Sequence, residues 1–172
     1  MSLSDWKDAL LAFMQAHPEL IGVIVFLLGF GESIALVSLF VPSTFLFLAI
    51  GSAHSAAGGT FWPVWLCGAA GACAGDLVSY GLGHHFKHDV AKVWPISKYP
   101  ELIPRGQAAF ERWGAFSIIG GKFIGGLRPF IPVVAGTMSM PWLIFLSASA
   151  FSSLVWAGVF LAPGYGLVSL IR

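Results

Sequence analysis

The chain has 172 residues, 57% of them hydrophobic and 10% charged, with a formal net charge of +1 and a mean hydropathy of +0.83. A soluble domain carries about 25% charged residues, so the composition excludes an ordinary soluble fold and points to a single polytopic membrane domain over residues 1–172. The near-zero net charge gives no footprint for nucleic acid or an acidic surface.

In chain order, Trp6, Leu10, Phe13 and His17 recur at helical spacing, with Asp5, Lys7 and Asp8 on another face. This predicts an interfacial amphipathic helix over 1–18, ended by Pro18. No short apolar stretch leading to a cleavage site is evident, so the following apolar run is expected to be retained. The first half, 20–83, opens with an apolar run from Leu20 to Val41, long enough for a bilayer of about 30 Å. GFGES at 29–33 interrupts it and Pro42 stops it. Residues 42–59 are apolar at first and then small and polar, which suits a re-entrant segment covered by protein or water.

Residues 61–83 predict a span, with aromatics at its start and Gly and Ala in its middle to let helices approach closely. Cys67 and Cys73 lie in this segment at a spacing that fits neither a metal knuckle nor a CxxC motif, and read as core residues. From 84 to 112 the chain turns polar, with five Lys/Arg against three acids. It reads as an aqueous loop whose basic bias places it in the cytoplasm. The second half, 113–172, begins with a glycine-rich apolar stretch broken at Pro129 and Pro132, and ends in a long apolar helix over 141–170, expected to bend near Pro163. A broken segment followed by a span thus occurs twice, FVPSTFLF before the first and FIPVVAGT before the second. Paired Gly/Pro-interrupted segments point to a transporter site built from an inverted internal repeat. The expected fold is an all-α membrane protein with two re-entrant, Gly/Pro-broken hairpins.

Four ionisable residues lie inside these apolar stretches: Glu32, Asp76, Lys122 and Arg128. No Asp, Glu, Lys or Arg occurs between Glu32 and Asp76, or between Arg128 and Arg172. A charge at membrane depth costs roughly 2.5–3.5 kcal/mol on insertion scales and marks a pathway or a paired site. Glu32 reads either as a carboxyl satisfied at a helix break or as a proton-binding and gating acid. Asp76, with Tyr80 one helical turn on, reads as a structural acid or as support for Glu32. Lys122 and Arg128 flank FIGGL, and six helical positions put them on different faces, so a glycine-allowed break must bring them together if they share a site. Arg offers a planar fork for phosphate and Lys a point charge. The bland alternative is that both snorkel to an interface.

The blocks GESIALVSLFVPSTFLFLAIG, GDLVSYGLG and GKFIGGLRPFIPVVAGTMSM resemble the DedA family of SNARE-associated or VTT-domain membrane proteins, over roughly residues 20–170. By that resemblance Glu32 matches the family's membrane-embedded acid, and Arg128 the second arginine of the third block. Lys122 stands in place of the first arginine, and Gly125 where proline is usual. Thr44, two residues after Pro42, replaces an acid that many members carry, which weakens any proton coupling. The chain also ends soon after its last apolar helix, where many relatives have a further span.

The resemblance implies two re-entrant hairpins meeting at the membrane centre. It also implies translocation of a phosphate-bearing lipid, undecaprenyl phosphate or a phospholipid, across a bacterial cytoplasmic membrane, with protons as a second partner and a role in envelope homeostasis. Expected phosphate ligands are Arg128 and Lys122, gating acids Glu32 and Asp76, and supporting residues Pro42, Thr44, Tyr80, Gly125, Pro129 and Pro132. A proton-coupled small-molecule antiporter and a non-transporting envelope protein remain open, as does homo-oligomer formation. No enzyme activity, cofactor or metal is expected. K-FIGGL-RP falls one residue short of a lipid-phosphatase signature and lacks its partner motifs. A rhomboid-type protease would need a serine motif that is missing. His84, His85, His88 and Asp89 read as solvated rather than as a metal site.

Overall fold

In the computed structural model, residues 12, 16–34, 43–87, 102–124, 128 and 130–171 are described, and among them the chain is helical without a strand. The helices are α1 (Pro18–Ser33), α2 (Ser43–Ala56), α3 (Phe61–Phe86), α4 (Leu102–Trp113), α5 (Phe116–Gly121), α6 (Phe130–Thr137) and α7 (Trp142–Ile171). Two segments are long and apolar enough to cross a membrane, Phe61–Phe86 and Trp142–Gly166. At 1.5 Å per residue, the 26 residues of the first span about 39 Å.

Side-chain placement follows the membrane as solvent. Leu66, Leu77 and Val78 on α3, and Leu143, Phe151 and Val159 on α7, are exposed, while Asp76, Ser79, Ser149, Ser152 and Ser153 on the same helices are buried. A water-soluble fold would leave neither that much large apolar surface outside nor those polar groups inside.

The sequence sets the helix ends. Proline fits the first turn of α1, where its missing N–H would be unbonded anyway. At the other end Ile34 takes an extended backbone (φ −86°, ψ 123°) and donates its N–H to the Gly31 carbonyl. Gly114, at φ +55°, closes α4 by donating its N–H to the Phe110 carbonyl at 2.8 Å, the left-handed cap that glycine allows.

α1 runs parallel to α3 with backbones in contact. A Cβ on Gly71 would lie 2.1 Å from the Phe26 carbonyl oxygen, and one on Gly29 would lie 2.7 Å from that of Gly68. α2 lies along α7 in the same manner, with Gly51 against the Leu161 carbonyl and Phe47 edge-on to Trp156, ring centroids 4.8 Å apart. α6 crosses α3 at Gly83 and Gly136. The result is two apolar cores. One joins α1, α2, α3 and α7 through Val25, Phe47, Ala72, Trp156 and Leu161. The other joins α4 to α7 through Phe110, Ile118, Val134 and Phe145. On α3 and on α7, the polar residues Asp76, Ser149 and Ser153 fall in sequence between the stretches that feed the two cores.

Two expectations change. The polar stretch 84–112 is not simply a loop: α3 continues to Phe86 and α4 occupies Leu102–Trp113. In α4, Arg105, Glu111 and Arg112 are exposed while Gly106 and Phe110 are buried, so its polar composition belongs to an amphipathic helix. Pro132 lies within the first turn of α6 rather than at a break, a position with no intrahelical N–H bond to lose. The long apolar helix expected over 141–170 is α7, which runs through Pro163. Pro42, Gly125, Pro129, His88, Asp89 and most of the expected 1–18 helix lie outside the described residues, while Thr44 lies in the first turn of α2.

Candidate functional site: two buried ion pairs across the halves

The four charged residues are all buried, between 2% exposed for Asp76 and 8% for Glu32 and Arg128. Each acid, from the first half, meets a base from the second. Glu32 is in the last turn of α1, where a carboxylate opposes the helix dipole. Arg128 offsets that, donating from Nη1 to Glu32 Oε1. Its guanidinium carbon also lies 3.9 Å from the centroid of the Trp156 ring, a cation–π contact that desolvation strengthens.

Asp76 projects from the middle of α3, and Lys122 caps the C-terminal end of α5, where a cation suits the dipole. Lys122 Nζ donates to Asp76 Oδ2 at 2.5 Å and to Ser153 Oγ at 2.5 Å. Ser149 Oγ donates to the same Asp76 oxygen at 2.7 Å. This cluster ties α3, α5 and α7 together. Nearby, Ser79 Oγ donates to the Ser33 carbonyl at 2.9 Å and holds the end of α1 on α3.

The two pairs differ in how fully they are satisfied. Lys122 and Asp76 are held by each other and by two serines. Arg128 Nε and Nη2 have no hydrogen-bond partner among the described residues, although both are buried. Between the pairs lies a cavity of about 10 Å³ lined by Asp76, Lys122 and Arg128 with Ile118, Ile131 and Pro132. That is roughly room for one water, so this arrangement is closed around its own charges.

The structure therefore brings Glu32, Asp76, Lys122 and Arg128 into one site, with Pro132 on its wall. It gives Tyr80 a different task. Tyr80 Oη donates to the Met140 carbonyl at 2.5 Å, and its ring stacks on Phe145 at 4.4 Å, fastening the α6–α7 turn. Ser149, Ser153 and Trp156 were missed by sequence reasoning. Their spacing of four and three residues puts all three on one face of α7, and small polar residues on one face of an apolar span are the signal that would have found the two serines.

Long apolar helices with lipid-facing exteriors and an internally paired charged centre define an integral membrane protein with a polar core at depth. The chain matches the VTT domain over residues 41–166, which takes in Asp76, Lys122 and Arg128. It is 33% identical over 140 residues to the inner membrane protein YabI of Escherichia coli K12, covering 81% of this chain and 55% of YabI. It is 31% identical over 142 residues to the uncharacterized membrane protein BU139 of Buchnera aphidicola, covering 83% of this chain and 56% of that one. With the E. coli inner membrane protein YghB it shares 26% identity over 156 residues, covering 88% of this chain and 71% of YghB. The chain belongs to the VTT-domain family, the DedA family. It spans about half the length of the first two of these relatives. No solved structure matches it.

Proposed function

We propose that this protein moves a phosphate-bearing lipid headgroup between the leaflets of a bacterial inner membrane, with Arg128 as the principal phosphate ligand and Lys122 beside it. The observation that carries this reading is the buried guanidinium whose Nε and Nη2 lack partners among the described residues, beside a second cation at the wall they share. Arg N–H groups are suited to bidentate capture of phosphate oxygens. A cavity of about 10 Å³ holds no headgroup, so full entry of the headgroup requires the Glu32–Arg128 pair to part. The anion replaces a carboxylate on its cation, and the released carboxylate is neutralised by a proton or turns to a serine hydroxyl. Glu32 is the exchanging acid.

On this reading the α1–α2 and α5–α6 segments are arms that enter from opposite sides and end near the charged centre, the re-entrant repeat expected from the broken sequence blocks. The set of carboxylates, cations and hydroxyls binds and exchanges an anion, and no covalent step is assigned to it. The names of YabI and YghB support an inner-membrane location.

Reconstitution into liposomes carrying quenchable prenyl-phosphate or glycerophospholipid probes tests the reading. Wild-type protein should accelerate exchange of at least one probe, and Arg128→Ala should abolish that acceleration. Equal exchange in protein-free and wild-type liposomes for both lipid classes would refute it.

A further inference from the structure

Where α1 and α3 begin and α2 ends, a second cavity of about 530 Å³ opens, lined by Glu19 on α1, His54 in the last turn of α2, Thr60, and Pro63, Val64 and Cys67 on α3. Its size falls within the range of about 300–1,000 Å³ of small-molecule sites. Along α3, Cys67 is nine residues from Asp76, about 14 Å of helix, so this is a separate place from the charged centre.

The wall is built rather than accidental. His54 is buried, its ring edge-on to Tyr165 with centroids 6.1 Å apart. It hydrogen-bonds with the Thr60 backbone. The Tyr165 hydroxyl donates to the Thr60 carbonyl at 3.3 Å. Gly59 lies flat against the imidazole: a Cβ there would come within 2.1 Å of the ring. The rim carries the Glu19 carboxylate, 3.4 Å from His17 Nδ1, and no Lys or Arg lines the cavity among the described residues. Apolar walls with a single carboxylate and no Lys or Arg among the described lining residues suit a cation with an apolar body and disfavour an anion.

We propose that this cavity binds an ammonium group carried on an apolar body, with Glu19 as its counter-ion and Pro63, Val64 and the Cys67 side chain against the apolar part. The ammonium can belong to the headgroup of an aminolipid or to a soluble organic cation, and the same chemistry serves both.

Cys67 is a reporter built into the site. The chain has two cysteines, so Cys73→Ser leaves Cys67 as its single thiol. In nanodiscs of phosphatidylcholine, its modification by a trimethylammonium-ethyl methanethiosulfonate is compared with that by the sulfonate reagent, each rate normalised to a free thiol in solution. The cationic reagent should be favoured roughly two- to five-fold, the scale of an exposed ion pair, and Glu19→Gln should bring the ratio to about one.

Hexyltrimethylammonium should protect Cys67 where hexanesulfonate does not, if the occupant is a soluble cation. Phosphatidylethanolamine in the disc should protect it where phosphatidylglycerol does not, if the occupant is a lipid. Cys67 that is inert to both reagents in the folded protein, a ratio near one, a preference insensitive to Glu19→Gln, or protection by neither ammonium source would each overturn the proposal.

Discussion

Neutralising Asp76 and Lys122 together should cost far less stability than neutralising either alone. With Lys122→Met, Asp76 stays 98% buried but loses the ammonium at 2.5 Å and keeps only the Ser149 hydroxyl at 2.7 Å. With Asp76→Leu, Lys122 keeps only Ser153. Stranding one member of a buried pair costs about 3–5 kcal/mol, whereas replacing both by apolar groups of similar volume is often neutral. Each single variant should therefore lose about 3–5 kcal/mol, and the double variant about 0–2, leaving Ser149 and Ser153 without charged partners. The coupling, several kcal/mol, exceeds the roughly 0.5 kcal/mol scatter of independent sites. Reversible unfolding in mixed micelles, followed by tryptophan fluorescence, measures all three variants. Additive losses in the double variant, or single variants as stable as wild type, would refute the assignment of this pair as the clasp between α3, α5 and α7.

Three further outcomes follow from the geometry. Arg128→Lys should fold but lose lipid translocation at least ten-fold in the liposome assay, because an ammonium keeps the Glu32 contact without the two further donors. Tyr80→Phe should lower unfolding stability by about 1 kcal/mol through loss of the Met140 hydrogen bond and leave translocation intact. Gly71→Leu should destabilise by at least about 2 kcal/mol, or abolish folding, because its Cβ alone would meet the Phe26 carbonyl oxygen at 2.1 Å. Thermal unfolding of the purified variant reads this directly.

Much of this was legible in the chain, and the rest depended on packing between distant segments. The spans predicted at 61–83 and 141–170 are strongly apolar, and the structure carries them as Phe61–Phe86 and Trp142–Gly166. Buried charge is also a local signal, so Glu32, Asp76, Lys122 and Arg128 stood out from their neighbours alone. Which acid meets which base was not legible: Glu32 and Arg128 are 96 residues apart, and the packing of α1 and of α6 on α3 brings them together. Tyr80 shows the limit of periodicity. It does sit one turn beyond Asp76, yet its hydroxyl reaches Met140 across the bundle. Likewise, hydropathy alone made 84–112 look like a loop, because α4 buries only a narrow stripe at Gly106 and Phe110.

The asymmetry between the two ion pairs bears on how a closed site can admit an anion. Parting both pairs at once would cost on the order of 6–10 kcal/mol at about 3–5 each, more than most ligands recover at a single headgroup. Arg128 offers a cheaper order of events. Its Nε and Nη2 lack partners among the described residues while Nη1 holds Glu32, so a phosphate oxygen can bond the open edge of the guanidinium before Glu32 lets go. Each such charge-assisted bond contributes about 1.5–3 kcal/mol, which meets most of the cost of parting one pair. Trp156, 3.9 Å from the guanidinium carbon, would hold the guanidinium in place as the carboxylate leaves in the proposed exchange. Asp76–Lys122, with Ser149 and Ser153 around it, would remain closed meanwhile in that exchange, holding α3, α5 and α7 in register. On the proposed reading, translocation needs one pair to open and the other to hold, a division that two equivalent pairs would not provide.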